Sequence, residues 1–230
     1  MKALTIIARW VFILCLPPLL LSASIGIAFN SLWLYRYSLE KDGARQITGL
    51  SNAELEKAAR GLISYFNSRE EFINVTVEKD GKPFTLFNER EVTHLKDVKA
   101  LVWLDYKFLL GTMIYVLVYG GINLFWSFKE GRGHWRQLAR LVATGSGITL
   151  LLMLALGLGV LFGFDRLLLQ FHLLSFSNDF WQLEPGDYLL LFFPGFEATL
   201  FVTAATTLLA VILGGAAVGH LLFNKKDSSR

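Results

Sequence analysis

The chain reads as a polytopic α-helical membrane protein. Four transmembrane helices are expected, with a small α+β extracytoplasmic domain between the first and second and a helical or re-entrant polar loop between the third and fourth. Three observations predict this. The 230 residues are 53% hydrophobic and only 18% charged, and the mean hydropathy of +0.46 lies well above that of a soluble domain of this size. Four apolar stretches each provide the roughly 20 helical residues that cross a bilayer. The charge that remains is gathered into a few segments between those stretches.

The first span is expected at residues 10–34, after Lys2 and Arg9, with a kink at Pro17-Pro18, where two residues lack the N–H a helix interior uses. Ser22-Ala23-Ser24 after a basic start offers the rival reading of a cleaved signal peptide, but the apolar run continues well past it. The single cysteine, Cys15, excludes a disulfide framework or a thiolate metal site and reads as a packing residue.

Residues 35–107 turn polar and form the extracytoplasmic domain. Ser51 with Glu54 is a capping box that opens an amphipathic helix to about Asn67, with Leu55, Ala58, Ala59, Leu62 and Phe66 on one face. Alternation from Ile73 to Val77, then Asp80-Gly81, then Pro83 to Phe87 signals a hairpin. Asn88 with Glu91 caps a further helix, which carries His94 and runs straight into the second span, residues 108–128. The connection 129–140 holds Lys129, Arg132, Arg136 and Arg140 and is therefore cytoplasmic by the positive-inside rule. A third span (141–164), a polar loop (165–195), a fourth span (196–223) and a basic tail (224–230) complete the chain. Both termini are then inside and both polar segments outside. Gly145, Gly147, Gly157 and Gly159, and Gly215 with Gly219, are expected to let helices approach closely within the bundle rather than across a dimer face.

The net charge of +3 is accounted for by topology, and nothing supports a nucleic-acid partner. The chemistry must come from the two outer segments. On a helix, Glu91, His94 and Asp97 share one stripe, so a carboxylate can orient the imidazole. Around His172, Phe171, Phe176 and Trp181 supply an apolar wall, and Asn178 and Asp179 supply polar groups. A lone histidine near an interface is commonly a satisfied anchor, and Glu91 can serve only as a cap. Two histidines expected on one face, each near a carboxylate, favour a site. Metal binding competes, but one helix offers too few ligands and no paired-histidine signature is present. His134 and His220 fall on the inner side, and Trp33, Trp103, Trp126, Tyr35, Tyr106 and Tyr188 fall where aromatic belts are expected.

The first motif, Glu91-x-x-His94-Leu95-x-Asp97-Val98-Lys99, is followed by Phe171-His172-x-x-x-Phe176-x-Asn178-Asp179-x-Trp181-x-Leu183-x-Pro185-x-Asp187. Together, in this order and spacing, the two motifs resemble the bacterial lipoprotein intramolecular transacylase family. The resemblance implies an enzyme of the bacterial cytoplasmic membrane that moves an acyl chain from the sn-2 position of a lipoprotein's diacylglyceryl group to the α-amino group of its terminal cysteine. It implies a lyso-form product, His94 and His172 as the catalytic pair, Glu91, Asp97, Asn178, Asp179 and Trp181 in support, and Phe171 and Phe176 against the substrate. The partners are then a diacylated lipoprotein N-terminus and membrane lipid, with no cofactor and a monomeric protein. The sequence departs from the family pattern at Leu95, at Leu173 and at Pro194-Gly195-Phe196-Glu197, which leaves the histidines in place. One histidine, His94 by preference, would take the ammonium proton, and His172, with Asn178, would stabilise the oxyanion; the order of the two stays open. Two other classes also stay open: a different lipid-active hydrolase or acyltransferase using Ser175 or Ser177, and a non-enzymatic membrane chaperone.

Overall fold

The computed structural model describes residues 2–130, 133–192 and 195–226. Arg132, Pro194 and Arg230, named above, lie outside the described residues. In order, the elements are α1 (Lys2–Asn30), α2 (Leu32–Lys41), α3 (Ala44–Thr48), α4 (Asn52–Asn67), β1 (Thr76–Lys79), β2 (Lys82–Thr85), α5 (Glu89–Glu130), α6 (Gly133–Ser175), α7 (Leu189–Phe192) and α8 (Gly195–Lys226). Four helices, within α1, α5, α6 and α8, are long and apolar enough to cross a membrane. At 42 residues α5 measures ~63 Å, about twice the hydrocarbon thickness. Its first turns, Glu89 to Lys107, carry most of its charge, and the apolar stretch begins at Phe108.

The backbone divides into two compact units, one of residues 2–25, 105–158 and 202–226, the other of residues 26–104 and 159–201. In the first unit, Phe12, Ile13 and Leu16 of α1 pack on Leu138 and Leu141 of α6, with Tyr115, Val116 and Tyr119 of α5 against them. Gly145 permits this approach, because a Cβ there would stand 2.5 Å from Leu16 Cδ1 and 3.1 Å from the Ile13 carbonyl oxygen. The Tyr115 hydroxyl donates to the Ala8 carbonyl at 2.9 Å, and Arg9 donates to Gln137 at 3.0 Å. The expected packing role of Gly215 and Gly219 is not what the structure shows. A Cβ at Gly215 would meet nothing within 4 Å and one at Gly219 only Phe223 of the same helix, whereas Gly214 lies against Ser146. The contact stripe of α8 is displaced by one residue from the GxxxG pair.

In the second unit the apolar run from Trp10 to Leu34 is divided. The α1 helix continues through Pro17 and Pro18 but ends at Asn30, and Ser31 turns the chain and accepts a hydrogen bond from the Leu34 amide at 3.3 Å, opening α2. Ser51 caps α4 by accepting from the Glu54 amide at 3.3 Å, and the buried face is Leu55, Ala58, Ala59, Leu62, Tyr65 and Phe66. The β1–β2 hairpin turns on Asp80 and Gly81, both in the left-handed region (φ 54° and 72°), the geometry of a type I′ turn. Strand β1 begins later than the alternating run from Ile73, yet the Val75 carbonyl still accepts from Leu86 N at 2.9 Å. Asn88 and Glu91 close the reciprocal cap that opens α5. The segment from residue 165, expected as a helical or re-entrant polar loop, starts as helix: α6 breaks its regularity at Gly163 (φ −167°, ψ 43°) and continues to Ser175, carrying Phe171 and His172.

Gly61 sets the spacing between α4 and the lead-in to β1, since a Cβ there would reach 2.7 Å from Val75 Cγ2, part of a stiff and buried side chain. Gly61→Val should therefore destabilise the protein by about 1–3 kcal/mol through overpacking. A lowered melting temperature of the purified variant in detergent checks this, and an unchanged one contradicts it.

Candidate active site

The two motifs meet within the second unit. Glu91, only 1% exposed, is the residue that joins them: Oε2 accepts from the Asn88 amide at 2.7 Å, closing its own helix cap, and Oε1 accepts from the Leu189 amide at 2.7 Å at the start of α7. Burial raises the Glu91 pKa, and the amides of Asn88 and Leu189 oppose that shift. Further ties run alongside. Asn88 Nδ2 donates to Asp187 Oδ1 at 2.8 Å, Arg90 Nη1 to the Gln182 carbonyl at 2.8 Å, and Asn178 Nδ2 to Asp97 Oδ2 at 2.8 Å. Asp187 Oδ2 accepts in turn from the Glu184 amide at 2.7 Å, across a turn in which Gly186 takes φ 116°. Lys79 of β1 donates to the Tyr188 hydroxyl at 3.1 Å.

One turn along α5 from Glu91 stands His94, 6% exposed. Its ring lies 6.1 Å, centroid to centroid, from that of His172 at an interplanar angle of 29°. Phe176 meets both imidazoles, at 5.0 Å from His94 and 5.6 Å from His172. Trp181 covers His172 at 4.9 Å, and Phe171 stands edge-on to it at 5.6 Å. His172 Nδ1 lies 2.7 Å from the Leu168 carbonyl one helical turn back. A carbonyl only accepts, so Nδ1 carries the proton and Nε2 keeps its lone pair. His94 Nδ1 is buried with no hydrogen-bond partner among the described residues. Burial, reinforced by the neighbouring His172 and opposed by the Asp97 carboxylate, lowers the His94 pKa from 6.5 to about 4. This imidazole is therefore neutral at neutral pH.

The structure thus brings His94, His172, Phe171, Phe176 and Trp181 together, and it joins Asp97 to Asn178 rather than to an imidazole nitrogen. Glu91, expected beside His94, spends both oxygens on backbone amides. Asp179 accepts from Gln182 Nε2 at 3.3 Å and from the Gln182 amide at 3.1 Å, shaping a turn. Among the described residues neither Ser175 nor Ser177 hydrogen-bonds either imidazole, and no group of three or more His, Cys, Asp or Glu side chains could hold a metal ion. Asp187 is a site-building residue that charge patterning left unassigned. Its signal is an acidic side chain after Gly186 in the polar segment, with an amide-bearing cap residue available at Asn88. Glu197, at the start of α8, pairs with Lys41 of α2.

Long apolar helices define a helical membrane protein, and the paired imidazoles of buried His94 and half-buried His172 mark its candidate site. The model of the family described as lipoprotein intramolecular transacylase Lit matches residues 10–196, and the chain belongs to that family. It is therefore placed among membrane acyltransferases of lipoprotein biosynthesis. Among solved structures, the membrane-integral lipoprotein intramolecular transacylase Lit from Bacillus cereus matches with a TM-score of 0.79 at 20% identity, over 98% of this chain and 99% of that one. The same Bacillus cereus protein with one histidine replaced by alanine matches at TM-score 0.74 and 17% identity, over 98% and 96% of the two chains. With that histidine replaced by arginine it matches at 0.70 and 19%, over 100% and 96%. These likenesses show a shared fold. A search of curated proteins gave no match.

Two outcomes follow from this geometry. Glu91→Gln leaves one oxygen facing two amide donors and turns an N–H toward the other, a loss of about 1–3 kcal/mol; hydrogen exchange at the Leu189 amide should accelerate, and unchanged protection would contradict the tie. The unfolded His94 binds its proton near pH 6.5 and the folded one near 4, so between those values the unfolded chain holds more protons and stability falls as pH drops. Integrated over that window the loss reaches about 3 kcal/mol. Melting curves from pH 7 to 4.5 should show a steeper acid decline for the native protein than for His94→Gln.

Proposed function

We propose that the chain moves an acyl chain from the sn-2 oxygen of the diacylglyceryl group to the α-amino group of the N-terminal cysteine of the same lipoprotein, leaving a lyso-form product. The observation that carries this reading is the pairing of two unlike imidazoles in one aromatic enclosure, their rings 6.1 Å apart. His172 has an oriented lone pair, and His94 is held neutral.

The hydrogen bond from His172 Nδ1 to Leu168 supports His172 rather than His94 as the base. A terminal α-amine has a pKa of about 7.7–8.0, so shedding its proton to solvent at pH 7 costs on the order of 1 kcal/mol. The free amine nitrogen then bonds to the ester carbonyl carbon while His172 Nε2 takes the proton that this nitrogen must lose. The carbonyl oxygen becomes an oxyanion. Because His94 stays neutral, its ring N–H serves as a fixed donor to that oxyanion, strengthened by the low polarity around it. Collapse breaks the bond to the sn-2 oxygen, and His172 returns its proton there. An amide and a free hydroxyl result, with no water consumed and no acyl-enzyme formed. Since ester and amine belong to one molecule, near-attack positioning alone can lower the barrier by about 7–11 kcal/mol.

Phe171, Phe176 and Trp181 supply an apolar lining suited to acyl chains. The basic run containing Lys129, Arg136 and Arg140 supports cytoplasmic termini and a site on the outer face of a bacterial cytoplasmic membrane. Both imidazoles come from one chain, which suits a monomer.

The test is mass spectrometry of the N-terminal peptide of a diacylated lipoprotein after incubation with purified protein. Total acyl mass should stay constant while fragmentation moves one chain from glycerol to the amino group. His172→Ala should abolish the transfer, His94→Ala should slow it about 10²–10³-fold as loss of one oxyanion donor does, and a Ser175→Ala, Ser177→Ala double variant should retain it. Loss of one acyl mass would instead make the protein a deacylase, and an active His172→Ala would remove the base assigned here.

A further inference from the structure

Recognition of the substrate's amine is unassigned by the mechanism above, and the distribution of carboxylates around the dyad narrows what can do it. Glu91 has both oxygens occupied by the Asn88 and Leu189 amides. Asp187 has both occupied, by Asn88 Nδ2 and the Glu184 amide. Asp179 is exposed to solvent, with its Oδ1 accepting from Gln182 Nε2 of its own turn. Asp97 differs. It lies one turn beyond His94 on the same stripe of α5, it is close enough to act electrostatically on that imidazole, and it is half-buried. Only its Oδ2 is bonded, to Asn178 Nδ2 at 2.8 Å. Among the described residues no lysine or arginine pairs with it, although Lys96 and Lys99 flank it in sequence: Lys96 pairs with Glu71, and Lys99 donates to Ser68 Oγ and the Glu70 carbonyl. Asn178 is itself pinned, because its Oδ1 accepts from the Phe180 amide at 3.1 Å. The result is a carboxylate fixed through one oxygen by a rigid partner, with the other oxygen free of hydrogen bonds among the described residues.

We propose that Asp97 Oδ1 is the receptor for the α-ammonium group of the lipoprotein's terminal cysteine, and that it makes the site selective for a free, unacylated amine. This rests on the transacylase reading and names the contact that positions its nucleophile. A half-buried carboxylate without a cation is costly to keep desolvated, and a substrate that enters at neutral pH chiefly as an ammonium ion supplies that cation. Once the ammonium has shed a proton, a remaining N–H still donates to Oδ1, so the nitrogen lone pair is left to face the ester. A product amine that has become an amide has lost its charge and with it this attachment, which favours release of product over rebinding.

The experiment separates binding from turnover. A lipopeptide with ether linkages in place of both glycerol esters cannot transfer a chain, so its Kd can be measured with the intact protein in detergent, beside a des-amino analogue that carries hydrogen in place of the α-amine. The native protein should prefer the amine-bearing form by roughly tenfold or more, the scale of one charge-assisted contact. Asp97→Asn keeps the shape and an oxygen to accept from Asn178, so the fold is preserved; in this variant the preference should collapse, with the des-amino Kd unmoved. With the ester substrate the same variant should raise KM more than it lowers kcat, and Asp97→Glu should restore part of the preference. A native protein indifferent to the amine, or an Asp97→Asn variant that still prefers it, overturns the inference. A native protein that prefers the amine, loses that preference in Asp97→Asn, and yet transfers no acyl chain upholds Asp97 as the receptor and overturns the transacylase reading instead.

Discussion

The construction of the site depends on one buried carboxylate. Glu91 accepts a backbone amide from its own helix cap and another from Leu189, nearly a hundred residues later, with only 1% of its surface exposed. A buried ionised group is tolerated only when its lone pairs are filled, and here the donors that fill them are the two backbone segments whose separation fixes the motifs. The same need for satisfaction that makes Glu91 costly to bury ties the 176–192 stretch to α5 through the Leu189 amide. The bonds Asn88–Asp187, Arg90–Gln182 and Asp97–Asn178 then follow in register along the first turns of α5.

From that constraint the arrangement of the imidazoles follows. His94 projects from α5 one turn after Glu91, and His172 projects from the last turn of α6, which runs as helix to Ser175. Both are mounted on helices rather than loops, and helices hold side-chain geometry more tightly. Phe176 is the first residue beyond α6 and touches both rings, so the chain's exit from the helix is also the wall of the site.

Much of this was legible in the sequence because it rests on local rules. The reciprocal cap at Asn88 and Glu91, the Ser51 cap, the turn at Asp80-Gly81 and the four apolar stretches each follow from spacing or residue type within a few positions. What resisted reading was non-local. Spacing on a helix puts Glu91 and Asp97 beside His94, but it cannot tell which carboxylate will be claimed by an amide from elsewhere in the chain, and Leu189 decided that. The end of α1 at Asn30 was hidden because the apolar run continues to Leu34 while the break depends on a single cap at Ser31. The displaced contact of α8, at Gly214 rather than the GxxxG pair, turns on a rotation of about one residue, which composition does not encode.

The proposed division of labour between the two imidazoles has a physical logic that fits an enclosure with few polar groups. In surroundings lined by Phe176, Trp181 and Phe171, a permanent cation placed to meet an oxyanion would be desolvated in every resting molecule, at a cost of several kcal/mol. A neutral imidazole avoids that cost and still presents a fixed N–H dipole when negative charge develops, where low polarity strengthens the attraction. The proposed base needs the opposite property, a lone pair that can accept a proton for the brief life of the intermediate, and the Leu168 carbonyl suits His172 to that role by holding a proton on Nδ1. The proposed roles rest on the difference between a 6% exposed His94, with a nitrogen that has no partner among the described residues, and a half-buried His172 with an oriented one.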